Sequence, residues 1–174
     1  LGAAQAQQVT VTSYSYDALG QITQVKDAKG NVTKVEYDGL GRRTVIDNPD
    51  TGRVESQYDL AGNLIKKITA ELQKKGAAIE YRYDYSRLVS IQHPLYPDAN
   101  VTYTYGTEAD KAKNQAGRIK TVQHQAGVEE REYGTLGEVI KETLRFTGLN
   151  GPAPSYTTRY DFDSFGRLHQ VLLP

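Results

Sequence analysis

Tyr37-Asp38-Gly39-Leu40-Gly41-Arg42 is the stretch that decides the fold, because versions of it recur along the whole chain. Tyr16-Asp17-Ala18-Leu19-Gly20 and Tyr58-Asp59-Leu60-Ala61-Gly62 repeat it: Tyr16, Tyr37 and Tyr58 stand 21 residues apart, and Gly20, Gly41 and Gly62 keep the same step. A late copy reads Tyr160-Asp161 with Ser164-Phe165-Gly166-Arg167, and looser copies sit at Tyr83-Asp84 and Tyr133-Gly134-Thr135-Leu136-Gly137. Tyr105 is the loosest, with Gly106 where Asp should follow. A fixed short period is the mark of a repeat array, so the wider later spacings read as the same unit carrying loop insertions.

One unit has the chemistry of two strands and two turns. Val32-Thr33-Lys34-Val35-Glu36-Tyr37 is rich in β-branched residues and alternates, placing Thr33, Val35 and Tyr37 on one face and Lys34 and Glu36 on the other. Asp38 then opens a turn, since its side-chain oxygen can accept a backbone N–H two residues on, and Gly41 supplies a positive φ for re-entry into the next strand. Asn48-Pro49-Asp50-Thr51-Gly52 turns the chain again, as Asp27-Ala28-Lys29-Gly30 does one unit earlier. Aliphatic pairs follow the glycine with a three-residue gap: Ile22 and Val25, Leu88 and Ile91, Ile119 and Val122, Leu168 and Val171. Strict alternation puts such a pair on opposite faces, so either a bulge lies between its members or both faces are covered. The fold class expected is all-β, with consecutive antiparallel β-hairpin repeats forming one curved or spiralling sheet of twelve to fourteen strands.

Of the 174 residues 38% are hydrophobic, with 13 Tyr, three Phe and neither Met nor Trp, and the mean hydropathy is -0.60. A thick two-layer core needs more aliphatic and Phe content, so thin layers packed by tyrosine are expected. Lys plus Arg and Asp plus Glu are both 21, which gives no basic excess for nucleic acid or an anionic membrane surface. Cysteine is absent, which removes disulfides, thiolate metal sites and a thiol nucleophile. No apolar run reaches the roughly 18 residues of a membrane span.

Residues 1–13 read as an irregular tract or edge strand, with Leu1 to Gln8 left out of the fold argument, and 14–174 as the array. Insertions fall near 70–78, 106–117 and 146–155. The segment Thr107 to Gly117 has a capping-box start and good helix formers. Ala70 to Gly76 is similar without a clear cap, while His93 to Asp98 and Phe146 to Pro154 are Pro- and Gly-punctuated loops.

A search for chemistry returns no catalytic, cofactor or metal residues. Asp17, Asp38, Asp59, Asp84 and Asp161 are the acids with a pattern, and turn formation accounts for them. Calcium held between turns is the sharper alternative, its best local candidate being Asp161-Phe162-Asp163-Ser164-Phe165-Gly166, where Phe165 stands in place of an oxygen ligand. His93, His124 and His169 lie in different units, and no nucleophile elbow, zinc-protease helix or P-loop is present. Two readings of the tyrosine faces stand: ladders that join neighbouring hairpins, and a surface for glycans or self-association. Arg42, Arg118 and Arg167 read as surface partners of nearby acids.

The Tyr-Asp-x-x-Gly-Arg series, followed by the aliphatic pair and an Asp/Pro/Gly turn, resembles the YD repeats of Rhs-type proteins, relatives of the B and C components of insecticidal toxin complexes and of the teneurins. Tyr37 to Arg42 and Tyr160 to Arg167 are the clearest matches, and the likeness covers roughly residues 14 to 173. In that family a long antiparallel sheet spirals into a hollow shell, which in bacterial members encloses a C-terminal toxin. The resemblance implies a structural segment of a secreted or surface protein, not an enzyme. Its partners would be other repeats of a longer chain, or a copy of itself through open sheet edges, and a toxin cargo. The alternative is a carbohydrate-binding module on a Tyr-lined face. The sequence is short for closing a shell and has no Asp-Pro-x-Gly self-cleavage segment, so closure and self-processing are not carried over.

Overall fold

A computed structural model describes residues 10–147 and 154–174. Residues 1–9 of the N-terminal tract and 148–153 of the last predicted loop lie outside the described residues. Among the described residues there are fourteen strands, all antiparallel and in chain order. The chain divides after Ala78, at the end of the 70–78 insertion, into two compact units.

The first unit holds β1 (Ser13–Tyr16), β2 (Ile22–Lys26), β3 (Val32–Tyr37), β4 (Arg43–Asn48), β5 (Gly52–Tyr58) and β6 (Leu64–Ile68), then helix α1 (Ala70–Lys74). Its cap is Thr69, whose side chain accepts from the Leu72 N–H at 3.4 Å. The sequence reading missed this cap because it looked inside the 70–76 segment rather than at the strand end before it. Gly52 seats the helix, since a Cβ there would come within 2.7 Å of the Ala70 side chain.

The second unit holds β7 (Ile79–Asp84), β8 (Arg87–Gln92), β9 (Val101–Tyr105), β10 (Ile119–His124), β11 (Gly127–Tyr133), β12 (Val139–Phe146), β13 (Ser155–Phe162) and β14 (Leu168–Leu172). The 106–117 insertion is a 3₁₀ helix, Glu108–Lys113, with the capping box between Thr107 and Asp110. It replaces a turn, because Gly106 donates its N–H to Arg118 at 2.9 Å and receives that of Gly117 at 2.8 Å. The 93–98 loop ends in a further 3₁₀ turn, Pro97–Ala99.

A bulge explains the three-residue aliphatic gap. Tyr16 pairs with Ile22 and Ser15 with Gln24, which leaves Thr23 as one extra residue on the return strand. The same slip recurs at Thr44, Ile65, Val89, Lys120, Ile140 and His169. An extra residue resets the alternation, so the members of each aliphatic pair face the same way. They meet an aromatic pair on the partner strand: Tyr16 and Tyr14 oppose Ile22 and Val25, Tyr83 and Tyr81 oppose Leu88 and Ile91, and Tyr105 and Tyr103 oppose Ile119 and Val122. Such cross-strand pairs are the unit from which a sheet draws its stability.

These registers move the last copy by two residues. Phe162, not Tyr160, opposes Leu168 at the turn, while Tyr160 opposes Val171. Asp163 therefore takes the turn position assigned above to Asp161; the Tyr-Asp dipeptide misled because the aromatic here is Phe. Tyr85 stands off the strands, in the two-residue turn between β7 and β8, with φ of 56°.

The layer is thin. The buried apolar residues are Val45, Ala78, Val122 and Tyr133, and among the described residues no side chain is exposed by less than 2%. Stability thus rests on register, and register on the turns. Gly41 has φ of 76°, whereas Gly39 in the same turn has an ordinary φ and open space around it. Gly41→Ala is expected to cost about 1–2 kcal/mol, read as a fall in Tm of roughly 2–8 °C. Gly39→Ala should leave Tm within a degree or so, and equal effects at the two positions would contradict this reading of the turn.

Candidate functional site

The recurrent feature is the turn. The Asp17 carboxylate oxygen Oδ1 accepts the N–H groups of Leu19 and Gln21, both at 2.9 Å. Asp38 does the same with Leu40 and Arg42, and Asp163 with Phe165 and Arg167 at 2.9 and 3.0 Å. Asp59 accepts the Asn63 N–H at 2.8 Å, and Asp27 repeats the arrangement at the opposite end of a hairpin with Lys29 and Asn31. In four of these five turns the side chain of the residue after the glycine completes it. Arg42 and Arg167 donate Nε to the second carboxylate oxygen of Asp38 and Asp163 at 2.7 and 2.8 Å, and Asn31 and Asn63 donate their amides to Asp27 and Asp59.

Besides the Tyr105 copy, whose turn the 3₁₀ insertion replaces, two copies depart from this pattern. Asp84 pairs with Arg87 across a turn that has no glycine. In the Tyr133 copy Gly134 stands where Asp would, with the Glu138 carboxylate packed against it; a Cβ at Gly134 would collide with that carboxylate.

The tyrosines reach further than their own turns. Tyr37 donates its hydroxyl to the Ile22 carbonyl at 2.9 Å, Tyr58 to Arg43 at 3.0 Å, Tyr105 to Leu88 at 2.8 Å and Tyr133 to Ile119 at 2.7 Å. Each acceptor is the return-strand residue paired with the preceding copy's tyrosine. The residue just before the acceptor lies over the same tyrosine: Arg42 over Tyr58 at 5.0 Å from the ring centroid, Arg87 over Tyr105 at 5.3 Å and Arg118 over Tyr133 at 5.8 Å. Arg42 also donates Nη1 to the Asp59 carbonyl in the next turn at 2.7 Å, and Gln21, in the equivalent place, donates to the Gly41 carbonyl at 3.1 Å.

Two glycines therefore have a second reason for being glycine. A Cβ at Gly41 would come within 3.0 Å of the Gln21 amide, and one at Gly137 would collide with the Arg118 guanidinium. The reading of Arg42 and Arg118 as plain surface partners missed this clamp, because it links residues some 15 apart. Arg167 does pair with its own Asp163 and is largely exposed. Tyr160 differs from the other tyrosines in donating to the Glu142 carboxylate at 2.8 Å.

These contacts occupy Asp17, Asp38, Asp59 and Asp84 of the acids that the sequence singled out, while Asp161 lies in β13. The Asn63 and Asn31 amides hold Asp59 and Asp27 below the ordinary carboxylate value, and the Arg42 and Arg167 backbone N–H groups do so for Asp38 and Asp163. Lys120, 2.8 Å from Asp110, brings that carboxyl from 3.8 to about 2. Among the described residues no three His, Cys, Asp or Glu side chains converge as metal ligands. A hollow of about 650 Å³ beside the 3₁₀ insertion is lined by Lys120, Glu130 and Arg131 among others. Four of its charged residues are paired: Lys120 with Asp110, Glu130 with Arg145, Arg131 with Glu142 and Glu132 with Lys141. Tyr14 and Tyr16 are 52% and 59% exposed on one face of β1.

A sheet of consecutive hairpins, in which Tyr37, Tyr58, Tyr105 and Tyr133 each bind the preceding hairpin, defines a β-hairpin repeat protein in which the array itself is the site. The RHS repeat family model matches at residues 10–32 and 16–53. Residues 10–53 thus match RHS repeats, and beyond them the same tyrosine contact recurs as far as Tyr133 and the same turn at Asp163. No curated relative matches in sequence.

Among solved structures, a crystal structure of TcdB2-TccC3 without its hypervariable C-terminal region is 24% identical with a TM-score of 0.73, covering 94% of this chain and 9% of that one. A Photorhabdus luminescens Tc holotoxin pore carrying a TccC3 mutation is 19% identical with a TM-score of 0.65, covering 93% of this chain and 9% of that one. The chain thus spans about a tenth of the length of these structures, and at such identities the likeness is one of fold.

The turn carboxylates are bound more tightly when charged, so their folded-state pKa values lie below the unfolded ones. Their contribution is complete above the unfolded value and disappears as pH falls through the folded one. Tm should be level from about pH 7 to 5 and fall between 3.8 and about 2, the window set by Asp110. Asp38→Asn, which keeps the acceptor oxygen and removes the charge, should reduce that acid slope. A melting curve unchanged down to pH 2 would contradict the assignment.

Proposed function

We propose that the chain is a wall segment of an Rhs-type toxin component, in which consecutive hairpins build part of a shell around a polypeptide cargo outside the cell that makes it. The single observation behind this reading is the match of 94% of the chain, at a TM-score of 0.73, to TcdB2-TccC3. The chemistry of the array agrees with a structural task. Its repeated polar groups spend their hydrogen bonds on one another, and its thin layer has the form of a wall rather than a packed globule. No helix among the described residues is long and apolar enough to cross a membrane.

A wall segment is interchangeable with its structural equivalent in a longer wall. Replacing the matching stretch of TcdB2-TccC3 with this chain should yield a soluble protein whose particle outline in electron microscopy is unchanged and whose interior polypeptide resists added protease. A chimera that folds but leaves the interior digested would overturn the wall reading. The exposed Tyr14 and Tyr16 are the observation that favours the glycan-binding alternative. A screen of polysaccharides against the isolated chain decides it: the wall reading expects no retention, and retention abolished by Tyr14→Ala and Tyr16→Ala would establish the alternative.

A further inference from the structure

Among the described residues, four junctions between successive hairpins carry the tyrosine contact, and a fifth is built from different residues. At β4·β5, β8·β9 and β10·β11 the turn aromatic is Tyr58, Tyr105 or Tyr133, with the guanidinium of Arg42, Arg87 or Arg118 over it. At β2·β3 it is Tyr37, with Gln21 in the arginine's place. At β12·β13 the turn aromatic is Phe162, and the residue after Gly137 is Glu138. The register there is the ordinary one: Lys141 faces Arg159, three residues before Phe162, as Val45 faces Glu55, three before Tyr58. Val139, paired with Tyr133, holds the place that Arg43 holds opposite Tyr37, but Phe162 has no hydroxyl to donate to it. This junction therefore has the acceptor and the ring of a clamp and neither of its donors.

Glu138 is the group left over. Its Oε2 is buried and has no hydrogen-bond partner among the described residues. Arg131 Nε is buried likewise, yet it lies 3.1 Å from a Glu142 carboxylate oxygen, so its charge is answered. Tyr160, on the same strand as Phe162, gives its hydroxyl to Glu142 and not to Glu138. A buried carboxylate oxygen without a donor costs stability and calls for a partner from outside the fold. Glu138 and Phe162 together line a hollow of about 590 Å³, within the volume range of small-ligand sites. Its other charged residues are Glu132, Asp161, Lys141 and Arg159, so acids outnumber bases, and Lys141 is already paired with Glu132 at 2.7 Å.

We infer that this hollow binds a guanidinium group that the array does not itself supply, seated over the Phe162 ring and bonded to the Glu138 carboxylate and the Val139 carbonyl. The choice of cation comes from the array, which sets an arginine guanidinium against the equivalent aromatic three times, 5.0 to 5.8 Å from the ring centroid. A planar guanidinium donates two parallel bonds to one carboxylate, faces an aromatic ring and sheds its hydration more readily than an ammonium. An arginine side chain of another polypeptide and a free guanidinium compound share this chemistry.

The test titrates the whole chain with N-acetyl-arginine methylamide and with its citrulline counterpart, a neutral isostere, and reads binding from the phenylalanine ring resonances and from Tm. The arginine compound should bind at least about tenfold more tightly than the citrulline one. Glu138→Gln, which keeps the volume and removes the charge, should weaken arginine binding by about tenfold and leave citrulline binding unchanged. Glu138→Arg combined with Phe162→Tyr installs the array's own clamp; this variant should melt roughly 2–4 °C higher and bind neither compound. Equal affinity for the two compounds, no response to either, or arginine binding that persists in the clamped variant would overturn the inference. Ethylguanidinium and a capped tripeptide with a central arginine separate the two sources. Tighter binding of the peptide supports the site as a reader of polypeptide arginine, and equal binding supports it as a site for a free guanidinium compound.

Discussion

The tyrosine clamp between successive repeats is the interaction on which the rest depends. A single sheet layer has little buried volume to enforce alignment; among the described residues only a handful of side chains are buried and none completely. Ordinary ladder bonds between strands are insensitive to a slip of two residues, because such a slip restores both the faces and the bonding pattern. A hydroxyl aimed at one carbonyl, beneath a guanidinium that also binds the adjoining turn, has no such degeneracy. Tyr58 finds the Arg43 carbonyl and the Arg42 side chain together, and only one register satisfies both.

The clamp in turn requires the turn and the bulge. Asp38 binds two N–H groups with one oxygen and orients Arg42 with the other, so the guanidinium leaves the turn already directed toward the next repeat. Gly41 supplies the backbone angle and the empty space across which the Gln21 side chain lies. The bulge at Thr44 then lets the return strand present Arg43 and Ile46 on one face, opposite Tyr37 and Val35. The parts that make a single hairpin thus also place the contacts that align the next one, which is how 21 residues suffice for a repeat.

Much of this was legible in the sequence because the period is short and its markers are chemically specific. The Tyr-Asp and Gly positions gave the hairpin order, and the aliphatic gap at Ile22 and Val25 pointed to a bulge without deciding it, since pairing partners cannot be read from one strand. The last copy was misread where Phe162 replaces tyrosine, because a residue-type match outweighed the spacing to Gly166. The clamp was illegible for a different reason: Arg42 and Tyr58 meet only after two strands have been folded, and local alternation carries no information about a contact across that distance. The packing of the Glu138 carboxylate against Gly134 was hidden likewise, since the two residues stand at opposite ends of the turn.

A double-mutant cycle between Arg42 and Tyr58 tests the central claim most directly. Urea unfolding of the unmodified chain, Arg42→Ala, Tyr58→Leu and the double variant gives their coupling energy. A register-setting clamp predicts about 1 kcal/mol of coupling, and the same cycle between Arg42 and Tyr37, which do not share a clamp, should give about zero. Additive losses at Arg42 and Tyr58 would mean that the two side chains stabilise their own hairpins separately and that the repeats are aligned by something else.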